Sequence, residues 1–404
     1  MDNSANVECS VLPSGITIEI LENFETLQAY RDEWLDLESR SQDSFTYFQT
    51  YDWCEQWCRF YISDNNDLKQ KSLFIVAVKN GDKLASIWPL VIERRSRIVK
   101  VLRFLGEPLI QYGNILVDQN LLSVSALDLC WQKIKCQAKC DAIVLDRFVS
   151  DTPLSRLFGE NDRFNSEDVE TSLIDVLKYP DAESFVASQS RSSRKSRNRK
   201  RRKLEALGET KFEVIKGKSP GFTDLINLAM QMKIGWLVNS GRSTASMRDI
   251  RTLQLLTALQ SGSAHASGVV AMSYSVDGKP VAIEIGFCHK LHYYSFIGAF
   301  DWEMRSYSPG KLQLEQAVLW AIENGFETYD FLGNPSEYKD TWTNHHMPIF
   351  GHATGKTALG FIYANYWKPQ IRPAIKNMFS RMPVPIRQKI VGISQFVTNR
   401  STAP

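Results

Sequence analysis

Residues 300–342 read FDWEMRSYSPGKLQLEQAVLWAIENGFETYDFLGNPSEYKDTW, and the fold turns on how this stretch is parsed. It divides into a strand end, a turn, a capped helix, a short strand and a loop with several polar residues. Ser308 is a preferred N-cap type, Pro309 suits the first helical position, and Gly325 stands where a left-handed C-cap belongs. Between them Leu314, Val318, Ala321 and Ile322 make one apolar helical face. Alternation over 329–332 predicts a strand with Tyr329 and Phe331 on one side and Asp330 on the other.

Working outward, residues 268–276, 281–288 and 293–300 read as a strand meander that turns first at Asp277-Gly278-Lys279. Upstream lie a strand at 212–215 and helices at 222–238 and 247–261. Before these come a closing strand at 173–177 and a long helix at 181–208. The first half follows a similar plan. A strand at 16–21 precedes helices at 26–39 and 48–61, and strands at 72–79 and 84–93 flank the hairpin signal Asn80-Gly81-Asp82. Strands at 99–105 and 111–117, a helix at 121–139 and a strand at 142–146 complete it. The helix–strand pair 121–146 has the same order as 311–332. The expected fold class is therefore α/β (α+β), a structural duplication with two domains in tandem, each a mixed, largely antiparallel sheet flanked by helices. Expected boundaries are a disordered N-terminus at 1–15, a first domain at 16–178, a basic helical segment at 179–208, a second domain at 209–355 and a basic amphipathic tail at 356–404.

Bulk properties fit this division, since 404 residues are too many for one compact core. Hydrophobic residues make up 43% and charged residues 23%, as in an ordinary globular protein. No apolar run approaches the roughly 18 residues of a membrane span, and the polar N-terminus has no signal core, which together lead us to expect a cytoplasmic protein. Seven cysteines, an odd number in a long chain, argue against a disulfide scaffold. Cys54 and Cys58, like Cys136 and Cys140, are spaced one helical turn apart and read as core thiols. The six histidines, His265, His289, His292, His345, His346 and His352, fit no zinc spacing, so no metal is expected.

The net charge of +3 conceals segregation. Nine of the thirteen residues from Arg191 to Lys203 are basic, and after Asp340 there are eight basic residues and no acidic one. Like charges on nearly every face of a helix repel, and an anionic partner relieves them. Candidates are a nucleotide or lipid-linked diphosphate sugar, a phospholipid surface or tRNA, with a merely solvated helix as the plain alternative. Arg194, Arg197 and Arg201 are the candidate substrate contacts in this run. The tail mixes Trp367, Ile371, Ile375, Met378, Phe379, Ile390, Ile393 and Phe396 with cations alone. It suits either a helix pair packed on the protein, broken at Pro383 and Pro385, or peripheral contact with the inner membrane.

Several strings together point to a family. IGAFD, SPGKLQLEQAV, NGFETYDFLGNPSEYKDTW and the basic SRSSRKSRNRKRRKLEALG resemble the CelD/BcsL-type branch of the GNAT acetyltransferases, which is related to the Fem-type aminoacyl transferases. The match is densest over residues 183–342 and weaker at FQTYDWCEQWCRFY, IWPLVIERR and LRFLGEPLIQYGN. The resemblance implies two GNAT-like domains, acetyl-CoA or another acyl-CoA as donor, and a setting in exopolysaccharide or cell-envelope biosynthesis. An aminoacyl-tRNA-dependent transferase of Fem type and a non-catalytic partner of a polysaccharide synthase are the alternatives. It also implies a donor loop at Arg305-Ser-Tyr-Ser308-Pro-Gly310 with Lys311, where helix N-terminal amides meet a pyrophosphate. Ser308 replaces the family's first glycine and Pro309 removes one amide donor. The plain alternative is a capped core helix.

Acyl transfer to an amine requires a proton acceptor and a proton donor for the departing thiolate. Asp330 on the closing strand is the first candidate base and Tyr338 the acid. Lys339 and Trp342 are assigned to an anionic substrate. Glu284, mid-strand in VAIEIGF, is the rival base, because a charge among apolar neighbours is costly unless paired, exposed or in a cleft. Asp330 capping nearby backbone, Tyr338 packing and Glu284 facing solvent are the structural alternatives.

Overall fold

The Asp277-Gly278 signal forms the turn it predicts: both residues have positive φ, 47° and 74°, and join two antiparallel strands. The computed structural model describes residues 11–62, 70–95, 98–240, 242, 245–260, 267–333 and 337–382. His265, Pro383, Pro385, Ile390, Ile393 and Phe396 lie outside them, as does the N-terminus through residue 10. The chain forms two compact units: Met1–Thr171 with Gly333–Ser336 and His346–Gln370, and Ser172–Leu332 with Glu337–His345 and Ile371–Pro404. The expected division between 178 and 179 thus compares with one between 171 and 172, and the chain returns to the first unit for 346–370.

In the first unit the strands are β1 (Ile16–Leu21), β2 (Lys71–Leu73), β3 (Ile75–Asn80), β4 (Lys83–Trp88), β5 (Leu90–Arg95), β6 (Val99–Phe104), β7 (Leu116–Val117) and β8 (Ala142–Val149). Strands β1, β3, β4 and β7 make one antiparallel sheet. In a second sheet β2 pairs with β5, β5 with β6, β6 in parallel with β8, and β8 with the strand His345–Gly355. The two expected hairpin arms at 72–79 and 84–93 each break at one residue. Phe74 separates β2 from β3, and Pro89, which has no N–H to donate, separates β4 from β5, so the ribbon leaves one sheet and enters the other. The expected helix 26–39 is likewise two, α1 (Phe24–Ala29) and α2 (Arg31–Arg40), interrupted at Tyr30, whose hydroxyl donates to Glu19 at 2.6 Å. Helix α3 (Tyr51–Tyr61) begins later than expected, because Thr50 caps it after a 3-10 turn. Of the expected strand 111–117 only β7 forms. The preceding loop is held by side chains instead, Gln49 Nε2 donating to Tyr112 O at 3.0 Å and Asn114 Nδ2 to Asp43 Oδ2 at 2.8 Å. Helix α4 (Val124–Gln137) completes this unit's helix–strand pair with β8.

In the second unit the end of β9 (Arg163–Asp175) pairs antiparallel with a short closing strand. The other strands are β10 (Thr210–Lys216), β11 (Gly268–Val276), β12 (Lys279–His289), β13 (His292–Phe300) and the closing β14 (Thr328–Asp330). Their order is β10-β11-β12-β13-β14-β9, with β13 and β14 parallel and the rest antiparallel. The expected helix 181–208 is two, α5 (Ala182–Ser188) and α6 (Arg191–Glu205), because Ser190 turns out of helical geometry and caps α6 through Ser193 N. Helix α7 (Phe222–Asn239) matches its expectation, whereas 247–261 becomes α8 (Ala245–Arg248) and α9 (Ile250–Ala258), divided by the capping Asp249. Helix α10 (Pro309–Glu323) buries Leu314, Ala317, Val318 and Ala321 against Met272, Tyr293, Tyr329 and Phe185. Gly325, at φ 73°, follows its end as expected.

The basic helix is tied down from inside. Arg197 Nε donates to Glu315 Oε1 at 2.8 Å, Arg201 pairs with the other oxygen of the same carboxylate, and the Arg197 guanidinium lies 4.6 Å from the centre of the Trp342 ring. Arg197 and Glu315 are buried, with 8% and 5% of their side chains exposed, so the pair is shielded from solvent screening. Substituting Glu315→Ala strands two guanidinium groups and is expected to lower unfolding stability by about 3–5 kcal/mol in a denaturant titration. A loss below about 1 kcal/mol would show that the helices do not depend on this carboxylate.

Candidate active site

Glu284 sits in the middle of β12, opposite Met272 on β11 and Gly298 on β13. It is buried, not solvent-facing, at 3% exposure. Tyr293 donates its hydroxyl to Glu284 Oε1 at 2.8 Å and Tyr329 donates to the same oxygen at 2.6 Å. Burial pushes the carboxyl above its ordinary range, and hydrogen bonds from Tyr329, Tyr293 and Ser295 act in the opposite sense by stabilising the anion. Both phenols are themselves pushed well above their ordinary value, by burial first and then by Glu284, so they remain donors.

Backbone irregularities make this arrangement possible. The β12–β13 register shifts between Ile285 and Gly286, leaving Phe296 as the extra residue of a bulge. A Cβ on Gly286 would stand 2.1 Å from the Tyr293 hydroxyl, so only glycine lets that phenol reach Glu284. Strand β14 pairs with β13 only from His292 to Tyr294, and Gly298 farther along is exposed. Lys233 of α7 donates to Gly298 O at 3.0 Å. Burial, and then Arg242, push this amine down to about 8.

Asp330 belongs to a different cluster. Its Oδ2 lies 3.0 Å from His292 Nε2 and its Oδ1 accepts from Leu332 N at 2.6 Å. The His292 ring stacks on Tyr294, their centroids 4.2 Å apart. Successive strand residues point to opposite faces, so Tyr293 and Tyr329 reach Glu284 on one face while His292 and Asp330 meet on the other. Tyr338 lies in the short helix Glu337–Asp340 and is half exposed, at 50%; burial of its hydroxyl, and second the Glu284 carboxylate, push the phenol up to about 12.

Other expected site residues occupy places with different physical consequences. Lys339, assigned from sequence to an anionic substrate, is buried and donates to Phe331 O at 2.9 Å, fixing the turn where Leu332 has φ 63°. Trp342 is buried between Arg197 and Phe185. Arg197 Nε and Arg201 pair with the Glu315 carboxylate. Ser308 is left-handed, at φ 54° and ψ 48°, and its side chain makes no capping bond, because the 3-10 turn Trp302–Tyr307 ends on it. Arg305 folds back on that turn, donating to Trp302 O at 3.0 Å, while Lys311 is exposed. At Gly310 a Cβ would make only ordinary contact, 3.5 Å from Phe300. Arg194 Nε and Arg197 Nη2 are buried and, among the described residues, have no hydrogen-bond partner. Among the described residues no group of three or more His, Cys, Asp and Glu could hold a metal ion.

Sequence reasoning missed the Tyr293–Glu284–Tyr329 unit and Lys233. The glycine two residues after a lone strand glutamate, and a lysine inside the apolar LAMQMKIGWLV, were the available signals. Gly286→Ala is expected to force Tyr293 aside and cost about 1–3 kcal/mol in chemical denaturation. Unchanged stability, with the Tyr293 hydroxyl still bound to Glu284 in a crystal structure of the variant, would contradict this.

Residues 191–340 match the model of the acetyltransferase (GNAT) domain family. No curated protein matches the sequence. Among solved structures the chain is similar to FemX, at 12% identity and a TM-score of 0.54, over 82% of this chain and 96% of that one. It is also similar to the C-terminal domain of a putative lysylphosphatidylglycerol synthetase from Agrobacterium fabrum, at 11% identity and a TM-score of 0.50, over 83% and 95%. A tandem GNAT protein from the clavulanic acid biosynthesis pathway aligns at 9% identity and a TM-score of 0.43, over 84% and 98%. With an acetyltransferase (GNAT) domain over residues 191–340, the chain is an acyltransferase.

Proposed function

We propose that the second unit transfers an acyl group, acetyl from acetyl-CoA being the expected donor, to an amine or hydroxyl of an anionic exopolysaccharide or cell-envelope precursor, as in the CelD/BcsL branch. The observation that carries this reading is the buried Glu284, its pKa raised and its anion held by two phenols. The acceptor's proton passes to Glu284, directly or through one water, as its nitrogen or oxygen attacks the thioester carbonyl. When the carbon–sulfur bond breaks, the thiolate takes the Tyr338 proton, and solvent restores it at this half-exposed side chain. Asp330 acts in this scheme through position: with His292, Leu332 N and Lys339 it braces the turn that leads to Tyr338.

The likeness to FemX and to the putative synthetase speaks for the fold alone, so the acceptor is argued from charge. Arg194 Nε and Arg197 Nη2 are buried guanidinium donors three residues apart on α6 that find no partner among the described residues. A phosphate or carboxylate of a small anionic or lipid-linked sugar would satisfy them. An aminoacyl-tRNA donor is the second reading. It is favoured by the left-handed Ser308, the missing Pro309 amide and an Arg305 folded back onto Trp302 O at the expected pyrophosphate site, and by the outward cations of α6.

Glu284→Gln keeps an oxygen for both phenols and is expected to lower kcat/KM by about 100-fold or more. Tyr338→Phe is expected to cost about 10-fold or more. In the native enzyme kcat/KM should rise with pH above the ordinary carboxylate range of about 4.3. The limb should then stay level, since Tyr338 keeps its proton up to about 12. Because the folded-state pKa of Glu284 is raised, its contribution to stability is full at low pH and fades as pH rises through that pKa. Glu284→Gln should therefore melt no lower than the native protein at pH 8. A fully active Glu284→Gln enzyme would remove this residue from the mechanism. Calorimetry decides the donor: binding of acetyl-CoA supports the first reading and binding of charged tRNA alone the second. Binding of neither, with co-purification of a polysaccharide synthase, would indicate a non-catalytic partner.

A further inference from the structure

We propose that the helical run from Ala358 to Gln370 is an interfacial docking segment for an anionic lipid bilayer. It comprises an α-helical turn at Ala358–Ile362 and the π-helical turns that begin at Tyr363. Its inward stripe is made of small or ion-paired residues at helical spacing: Gly360, Ala364 and Lys368 are buried. A Cβ on Gly360 would stand 1.7 Å from Asp141 O, so the backbone itself seats there, and Lys368 pairs with Asp146 beneath. The large apolar residues face the other way. Phe361 is 53% exposed, Ile362 56%, Tyr366 49% and Trp367 41%. Isolated exposed apolar side chains are ordinary, but this density on one short run marks an interaction surface.

Charge selects the occupant. After Asp340 the sequence has no acidic residue, and of its eight cations Lys356 and Lys368 are engaged by Lys135 O, Ala138 O and Asp146. An apolar stripe with a tyrosine and a tryptophan, flanked only by cations, is complementary to anionic headgroups above acyl chains. Among the described residues no helix is long and apolar enough to cross a membrane, so contact is at the surface. The inference is independent of the donor and acceptor assigned above.

Sedimentation of the full chain with vesicles tests it. Vesicles of phosphatidylcholine with about 30% phosphatidylglycerol should bind at least ~10-fold more tightly than phosphatidylcholine alone, and binding should fall steeply toward ~0.5 M salt. Phe361→Ser with Trp367→Ser should abolish association while leaving the melting temperature unchanged, since both side chains are exposed. Arg381→Gln leaves the apolar stripe intact and should weaken binding by about 2-fold or more. Absence of binding, equal binding to neutral vesicles, or full binding by the serine variant would overturn the proposal. So would a dimer in light scattering that the serine variant dissociates without any vesicle binding, which would assign the face to a second copy of the chain.

Discussion

A carboxylate enclosed in a sheet interior is the constraint from which the second unit's geometry follows. Glu284 is out of water, and an isolated ion there would cost several kcal/mol unless its oxygens were satisfied. Two phenols satisfy one oxygen, and each imposes a condition elsewhere. Tyr293 reaches the carboxylate only because position 286 has no side chain. Tyr329 reaches it only if β14 presents that residue to the Glu284 face, which sends Asp330 to the opposite face and gives it His292 as partner. Thus one buried charge accounts for the glycine, the strand register and the division of polar residues into two clusters.

The same logic explains how a base and a half-exposed acid are held apart in environment. Glu284 is fully enclosed and biased toward its neutral form, while Tyr338 is half open and keeps its proton. Both are shifted upward, which in the proposed mechanism suits the carboxyl to proton uptake and leaves the phenol protonated. The supports of Tyr338 are themselves buried polar contacts: Asp330 to Leu332 N and Lys339 to Phe331 O. Asp330 and Lys339 both bond backbone here.

Much of this was legible before the structure. Pro309, Gly325 and the apolar face of α10 placed the central helix, and Asp277-Gly278 placed the meander, because caps and turns are dictated by local chemistry. The alternation of Tyr329 and Asp330 was also local and read correctly. What failed to show was long-range. Nothing near Arg197 or Arg201 announces Glu315, so two inward arginines looked like surface cations. Nothing near Lys339 announces the carbonyls it meets. Helices 26–39 and 181–208 read as continuous because their breaks, at Tyr30 and Ser190, use residues that periodicity tolerates. Glu284 was recognised as anomalous from its apolar neighbours alone, but its phenolic partners lie 9 and 45 residues away.

Glu284 is a buried carboxylate of raised pKa whose anion the two tyrosines hold. The most direct measurement is its titration by carbon-13 NMR of glutamate-labelled protein, with Glu284→Gln assigning the signal. The account predicts a midpoint above the ordinary glutamate value of about 4.3, and a further upward move in Tyr329→Phe, where the anion loses a donor. A midpoint at or below the ordinary value, unmoved by Tyr329→Phe, would contradict it.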